Sequence, residues 1–525
     1  MKLLKGQRGV CAGGHPLTVD AGRRAFEAGG NAIDAIVAAQ LMATVAEPLL
    51  TGLGGGGIAL LKQNNRCRVL DFFSDRPGLG PQRPFAPLEH VDVSFGVDTQ
   101  RFSYGPASVA IPGMIHGLWA LHKQGGVLSL PMMARWAADV ADQGLEVSLG
   151  LSKSIKALTP ILKHDPYLVS RFMQKEADGE LTAVNQGHYY TLPELSETLM
   201  RWANGGPKEL LSGATLDAIL DTLGQFAPLS RHDFDAYETR WCDPLSQEIK
   251  THGGQARLFT PPLPSQGGVQ ILTLVNEIAT RLIQRDRGKK LEPFGPEAIK
   301  VIAEVMIEME NKKGDQWPKP LVSDQHTSFW RSQLGFTTHI STCDVQGNAV
   351  GITSSLGETA GLSVDSLGLL LNNFMGEEDV APPRCMPKVG ERLFTMCSPT
   401  LLELIHPQGH QDYILGSGGS SRIRSVITHG ILYLTQDLLG LGGALKEVVN
   451  APRIHYEAGK LRLETFERPT DTVEQIREFC DQNQAELVCF DDLNLFFGGL
   501  HLASGGALGV GGAGDPRRSG SVAIV

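Results

Sequence analysis

Several features that would place this 525-residue chain quickly are missing from it. It has no excess of positive charge: 47 Lys and Arg stand against 57 Asp and Glu, a net charge of -10. That balance argues against a nucleic-acid or anionic-membrane partner. It has no C-x-x-C pair. Cys11, Cys67, Cys242, Cys343, Cys385, Cys397, Cys480 and Cys489 stand singly, a spacing that supports neither a zinc site nor a compact disulfide framework. Reduced, buried thiols are expected instead. No apolar run reaches bilayer length, since Ala35–Ala46 is too short and follows Asp34. The N-terminal "MKLLKGQRGVCAGGHPL" holds only a two-leucine apolar run, short of a secretory signal. A soluble, cytoplasmic protein without a membrane or nucleic-acid partner is the expectation. His339, His406, His410, His429 and His455 follow no metal-ligand spacing, so no metal and no cofactor is expected. There is no G-x-S-x-G elbow for a serine triad and no internal repeat.

Glycine is abundant, with 61 residues clustered in runs that suggest tight turns and close backbone approaches. Leu17–Ala28 and Asn31–Val45 read as helices separated by Gly29-Gly30, the second apolar on nearly every face and so a core helix. "GLGGGG", Gly52–Gly57, satisfies G-x-G-x-x-G but follows a helix and precedes a strand, the reverse of the dinucleotide fingerprint. A tight backbone crossing is the better reading. A helix is expected from about Met114 to Lys123, mainly helix over 127–250, and further helices from near Gly268 and over Glu297–Glu310. Asn311–Gln333 is the most polar segment, a solvated loop or linker by composition. Beyond it the chain is rich in strands and glycine, with helix again near Ser421–Leu439. The irregular mixture favours a layered α+β or α/β domain.

Two places could carry chemistry. In "YILGSGGSSRIRSVITHGIL" a strand runs into Gly416–Ser421 before a helix near Arg422, so unpaired N–H groups at a helix start could form an oxyanion hole. A simple strand-to-helix turn explains the pattern equally well. In "LGFTTHISTCDVQGNAVG", Thr337–Cys343 and Ala349–Ser355 flank turn chemistry at Asp344–Asn348 and predict a hairpin. Within a chain, the Thr337 hydroxyl has no special reactivity. Freed as an N-terminus, it gains an α-amine of pKa about 8 that can act as its own base.

"TTHISTCDVQGNAV" resembles the start of the small subunit of γ-glutamyltranspeptidases, T-T-H-x-S-x-x-D-x-x-G-N-A-V. "GGNAIDAIVAA", "GPASVAIPG" and "PPLPSQGG" resemble large-subunit signatures of that family, and "LLLNNFM", "GSGGSSRI" and "GAGDPRR" small-subunit ones, in the same order. The resemblance implies a four-layer αββα sandwich of the N-terminal-nucleophile hydrolase type. It implies cleavage between Phe336 and Thr337 into a large part, 1–336, and a small part, 337–525, that stay associated as one catalytic domain. The segment Asn311–Gln333 would then swing away to uncover the site. Thr337 would be the nucleophile, Ser355 would hold the place of the family's helper threonine, and Gly418, Gly419 and Ser420 would form the oxyanion hole, with Gly419 and Ser420 as donors.

Recognition of the amino-acid end departs from the family. "LDFFSDRPG" puts Phe73 where the family has a carboxylate-binding arginine, with Arg76 three residues on. "LLNNFMGEED" puts Phe374 in place of a glutamine, keeps Asn373, and offers Glu377 for the aspartate that binds the α-amine; Thr395 and Met396 stand for two carboxylate-binding serines. Either Arg76 takes over the carboxylate or the substrate is not a standard γ-glutamyl compound. The expectation is an amidohydrolase or acyltransferase acting on a small-molecule amide, with water or an amine as acceptor. γ-Glutamyl amides such as glutathione are the family default. The alternatives are another acyl amide (a small dicarboxylate mono-amide or an acylase substrate) and a catalytically silent homologue.

Overall fold

The strongest local signal, the hairpin, forms as the alternation predicts. Strand Thr337–Asp344 pairs antiparallel with Ala349–Ser355, with Thr337 opposite Ser355 and Cys343 opposite Ala349. The turn is held by Asp344, whose Oδ1 accepts from Gln346 N–H at 2.9 Å and Asn348 N–H at 3.0 Å, while Gly347 takes φ 88°. The computed structural model describes residues 7–81, 85–94, 99–249, 255–285, 295–311, 336–377, 386–406, 409–435, 445–466 and 468–525. From residue 312 to 333 the polar segment lies outside the described residues.

Two antiparallel sheets carry the molecule. The strands of the first are β1 (Gly9–Gly13), β2 (Gly56–Gln63), β3 (Arg66–Phe72) and β4 (Arg240–Cys242). In the second sheet lie β5 (Leu245–Ile249) and β6 (Gln255–Thr260). The hairpin supplies β7 (Thr337–Asp344) and β8 (Ala349–Ser355) to the first sheet. Next come β9 (Thr400–His406), β10 (Gly409–Gly418), β11 (Gly499–Gly506) and β12 (Gly511–Ala513) in the second, and β13 (Ser521–Ile524) returns to the first. The orders are β4-β3-β2-β8-β7-β1-β13 and β5-β6-β9-β10-β11-β12. The stretch over 127–250, expected to be mainly helical, ends in β4 and β5. Their burial alternates along β5, a period-2 pattern too short to stand out from the helices before it.

Among the described residues, three apolar cores show how the layers stack. One lies between the first sheet and helices α1 (Pro16–Glu27), α2 (Ala32–Ala46), α3 (Met114–Gly125) and α4 (Leu130–Gln143). A second lies between the sheets and joins Val10, Leu60 and Cys343 of one to Leu401, Ile414 and Ala503 of the other. The third lies between the second sheet and helices α5 (Gln266–Arg285), α6 (Pro296–Asn311) and α7 (Arg422–Thr435). Helices thus cover both outer faces, giving the four-layer αββα sandwich of an α+β protein. Helix α2 is buried at all 15 positions, as its unbroken apolar sequence requires, and a capping box between Asn31 and Asp34 starts it.

The glycine run before β2 is a tight crossing. A Cβ on Gly54 would lie 1.8 Å from the Leu370 carbonyl oxygen, and one on Gly55 would lie 2.1 Å from that of Ser355. Only glycine lets these backbones meet. The cysteines among the described residues are unpaired, Cys385 lying outside them. No helix among those residues is long and apolar enough to cross a membrane.

Candidate active site

Strand alternation divides the residues around Thr337 between two faces. Cys343 packs between the sheets, whereas Phe336 and Ile340 pack on the helical side. Thr337 shares the inner face of β7 with Cys343, and Ser355 lies opposite at the end of β8. The Thr337 hydroxyl donates to Ser355 Oγ at 3.3 Å. Ser355 Oγ in turn donates to the Phe336 carbonyl oxygen at 2.8 Å and accepts from Gly357 N–H at 2.8 Å. One hydroxyl therefore bridges a threonine side chain and the carbonyl of the preceding peptide. This arrangement can polarise that carbonyl while holding the threonine oxygen beside it.

The neighbouring side chains have structural tasks. Thr338, facing the helices, donates to Glu47 Oε2 at 2.7 Å, and Thr18 donates to Glu47 Oε1 at 2.8 Å. Burial pushes the Glu47 carboxyl above its ordinary range. His339 lies between Thr353 Oγ1 and Ser341 Oγ, each at 2.8 Å. Its burial lowers its pKa well below the ordinary value, so the ring is neutral at pH 7.

The second glycine cluster lies against Thr337. A Cβ on Gly418 would sit 1.8 Å from the Thr337 carbonyl oxygen, so this position must be glycine. Gly419 has φ 123° and Ser420 φ 47°, turning the chain from β10 into α7. A serine in the left-handed region is uncommon and costs backbone energy, consistent with a site held in place by its surroundings. Ser421 Oγ anchors the turn by donating to Glu457 Oε2 at 3.0 Å.

A cleft of about 360 Å³ opens on Thr337, Ser355 and Ser420. Glu358, Glu377 and Thr395 supply its other polar groups, and Phe73, Met396, Cys397 and Ile423 its apolar wall. No Lys, Arg or His lines it among the described residues. Burial pushes the Cys397 thiol up to about 12, so it offers no thiolate at neutral pH.

Of the sequence-predicted residues, Thr337, Ser355, Ser420, Glu377 and Thr395 meet at this cleft. Gly418 and Gly419 form the turn behind it. Arg76 does not reach it. Its Nη1 donates to the Pro387 carbonyl at 2.6 Å, and its backbone pairs with Gly390 and Glu391, so the side chain is committed to that loop. Asn373 lies one step behind the wall, donating to Glu358 Oε2 at 3.1 Å and to the Ser103 carbonyl at 2.9 Å. Phe73 and Phe374, the two replacements, touch: their ring centroids are 4.4 Å apart.

Sequence reasoning missed Glu358, Cys397, Ile423 and Glu47. Only Glu47 left a local signal, as a carboxylate at the C-terminal cap of α2, where the helix dipole disfavours negative charge. Among the described residues one acid–histidine group has metal-like spacing, Glu403, His410 and Asp412. It already surrounds a cation, since Lys62 Nζ lies 2.7 Å from Glu403 and 2.8 Å from Asp412.

Two stacked sheets covered by helices are the four-layer fold of the N-terminal-nucleophile hydrolase type. The chain belongs to the γ-glutamyltranspeptidase family: the family model described as gamma-glutamyltranspeptidase matches residues 18–317 and 300–525. It is 26% identical over 495 residues to the acylase ACY 1 proenzyme of Pseudomonas sp. (strain V22), covering 88% of this chain and 85% of that one. It is 27% identical over 476 residues to glutathione hydrolase 2 of Arabidopsis thaliana, covering 83% and 78%. The fold matches the crystal structure of cephalosporin acylase from Bacillus halodurans with TM-score 0.76 and 21% identity, over 100% of this chain and 97% of that one.

Proposed function

We propose that the protein is a self-cleaving amidohydrolase of this family whose acyl substrate lacks the free carboxylate of a γ-glutamyl group. In the first step the Thr337 hydroxyl oxygen attacks the Phe336 carbonyl carbon, helped by the Ser355 hydroxyl on the carbonyl oxygen. The C–N bond breaks, the amine nitrogen takes the proton, and an ester joins Phe336 to Thr337 Oγ1. Water hydrolyses the ester, leaving a Phe336 carboxylate and a Thr337 with a free α-amine. That amine then serves as base while Thr337 accepts an acyl group from an amide and passes it to water or an amine.

The observation that carries the substrate reading is the composition of the cleft. Phe73 and Phe374 pack together where a guanidinium and an amide are expected, Arg76 is bound to Pro387, and Glu358 and Glu377 line a wall to which no Lys, Arg or His contributes among the described residues. A second carboxylate entering with the substrate would meet like charge in a partly desolvated space. An uncharged or amine-bearing acyl group fits better. The names of the relatives include an acylase as well as glutathione hydrolases, which is compatible with this choice. A γ-glutamyl substrate retains one point in its favour, since Glu377 remains at the cleft to meet an α-amine and Thr395 keeps a hydroxyl there for a carboxylate.

Intact-mass analysis tests the first part: two fragments with Thr337 at a new N-terminus are expected, and Thr337→Ala should remain one chain. On the cleaved enzyme, anilides of uncharged acyl groups should turn over faster than the γ-glutamyl anilide. The reverse order would return the assignment to a γ-glutamyl hydrolase.

A further inference from the structure

The turn between β10 and α7 has the cleft on one side and a buried chain of polar groups on the other. Ser420 and Ile423 line the cleft, whereas Ser421, between them, does not and donates to Glu457 Oε2 at 3.0 Å. Glu457 closes the short strand Ile454–Glu457. The same carboxylate oxygen lies 3.2 Å from His455 Nε2, and His455 Nδ1 lies 2.8 Å from Ser425 Oγ. Two serines four apart at the start of α7 thus meet two residues two apart on the strand. Four helical residues rise about 6.0 Å and two strand residues advance about 6.6 Å, so the two spacings match and both contacts form together.

Protonation orders this chain of donors. Burial lowers the His455 pKa to about 4, so at pH 7 the ring is neutral and carries one N–H. Glu457 as a carboxylate only accepts, so Nε2 donates to it and Nδ1 accepts from the Ser425 hydroxyl. The other carboxylate oxygen, Oε1, lies 3.6 Å from Arg424 Nη2, which balances the charge. Ser425, His455 and Glu457 repeat the residue types of a serine triad, but they are 1%, 0% and 1% exposed and none lines the cleft. A substrate has no access to Ser425. The chain of hydrogen bonds therefore ends on the turn that Ser421 continues, and its effect is on that turn.

The turn needs such restraint. Gly419 at φ 123° and Ser420 at φ 47° both have positive φ, and a serine persists there only where its surroundings hold it. Arg422 N–H and Ile423 N–H donate to the Gly419 and Ser420 carbonyls at 3.1 and 3.0 Å, which ties the turn to the first residues of α7. Ser421 follows directly, so its bond to Glu457 fixes the peptide planes whose N–H groups would meet a developing negative charge. We infer that Ser421 and Glu457, with His455 and Ser425 behind them, are positioning residues that aim the Gly419 and Ser420 N–H groups at the oxyanion formed when Thr337 attacks an amide. The inference rests on the proposed acyl transfer through Thr337.

The test compares Ser421→Ala, Ser421→Thr and Glu457→Gln with wild type on the anilide that wild type turns over fastest, with rates expressed per cleaved chain counted by intact mass. Donors that act only in the transition state govern kcat, and a 1 Å misplacement costs about 10²-fold, so Ser421→Ala should lower kcat by about that factor with KM within about twofold. Ser421→Thr restores the hydroxyl and should recover most of the rate. Glu457→Gln keeps the volume and one acceptor oxygen but loses the charge, and its kcat should fall between the two. A contact that serves folding alone would lower the melting temperature and the cleaved fraction while kcat per cleaved chain stayed at the wild-type value; that result overturns the inference. Where Ser421→Ala stays uncleaved, Glu457→Gln decides by the same split of kcat against KM. If both stay uncleaved, the contact belongs to folding and the positioning role is overturned. A wild type that never cleaves, or that cleaves and turns over no amide, removes the underlying reading instead.

Discussion

At the scale of single residues, the informative group is Ser355, because one hydroxyl touches both partners of the proposed cleavage. It accepts from Thr337 and donates to the Phe336 carbonyl. Removing one donor of this type from a developing oxyanion costs roughly 10²–10³ in rate. Ser355→Ala should slow fragment appearance by about that factor, followed by denaturing gel against time, and Ser355→Thr should restore most of it. Glu47 makes a different prediction, about stability. Its folded-state pKa is raised above the ordinary 4.5, so the folded protein holds the proton more tightly than the unfolded chain. Stability therefore falls as pH rises from about 4.5 through the folded-state value. Glu47→Gln cannot ionise and keeps both threonine contacts within reach. The melting temperature of the variant relative to wild type should climb between pH 4 and pH 7; a constant difference would show that Glu47 is not held protonated.

At the scale of elements, legibility followed period and turn chemistry. The hairpin, α2 and the glycine crossings were readable because each rests on a local rule: alternation with an Asx turn, an unbroken apolar run, and the absence of a Cβ. Strands β4 and β5 were not, since short edge strands are decided by the sheets they join. The site split in the same way. Thr337, Ser355 and Ser420 sit in local patterns, whereas Glu358 and Ile423 reach the cleft only through the pairing of distant segments, and nothing local told Arg76 to turn towards Pro387. The aromatic pair is where element packing meets specificity. Phe73 follows directly after β3 and lines the cleft, and Phe374, which begins a short 3-10 turn, packs against its ring. Phe73→Arg would place a guanidinium beside Glu377 and on the cleft wall. A charge-assisted pair of that kind is worth about 1.5–3 kcal/mol, so kcat/KM for a γ-glutamyl anilide should rise at least about tenfold. No rise, with the fold intact by circular dichroism, would mean that the family's arginine position no longer faces the substrate.

At the scale of the whole molecule, the proposed cut falls in a chain whose two parts are woven into both sheets. In the first sheet β1, from the part before residue 337, lies between β7 and β13 from the part after it, and β2 pairs with β8 over seven residues, from Gly56 opposite Ser355 to Lys62 opposite Ala349. In the second sheet β6 pairs with β9. All three cores draw residues from both parts. Separating them would break the ladders of both sheets and expose every core at once, so cleavage alone cannot dissociate the fragments. The cleaved protein should elute from size exclusion at the volume of the Thr337→Ala chain and resolve into two bands only after denaturation. Dilution should not change that profile, because each part keeps only a fraction of both large sheets and leaves all three cores open. If the fragments separated under native conditions, the two-part sandwich could not be the mature form, and the site between the sheets would exist only in the uncut chain.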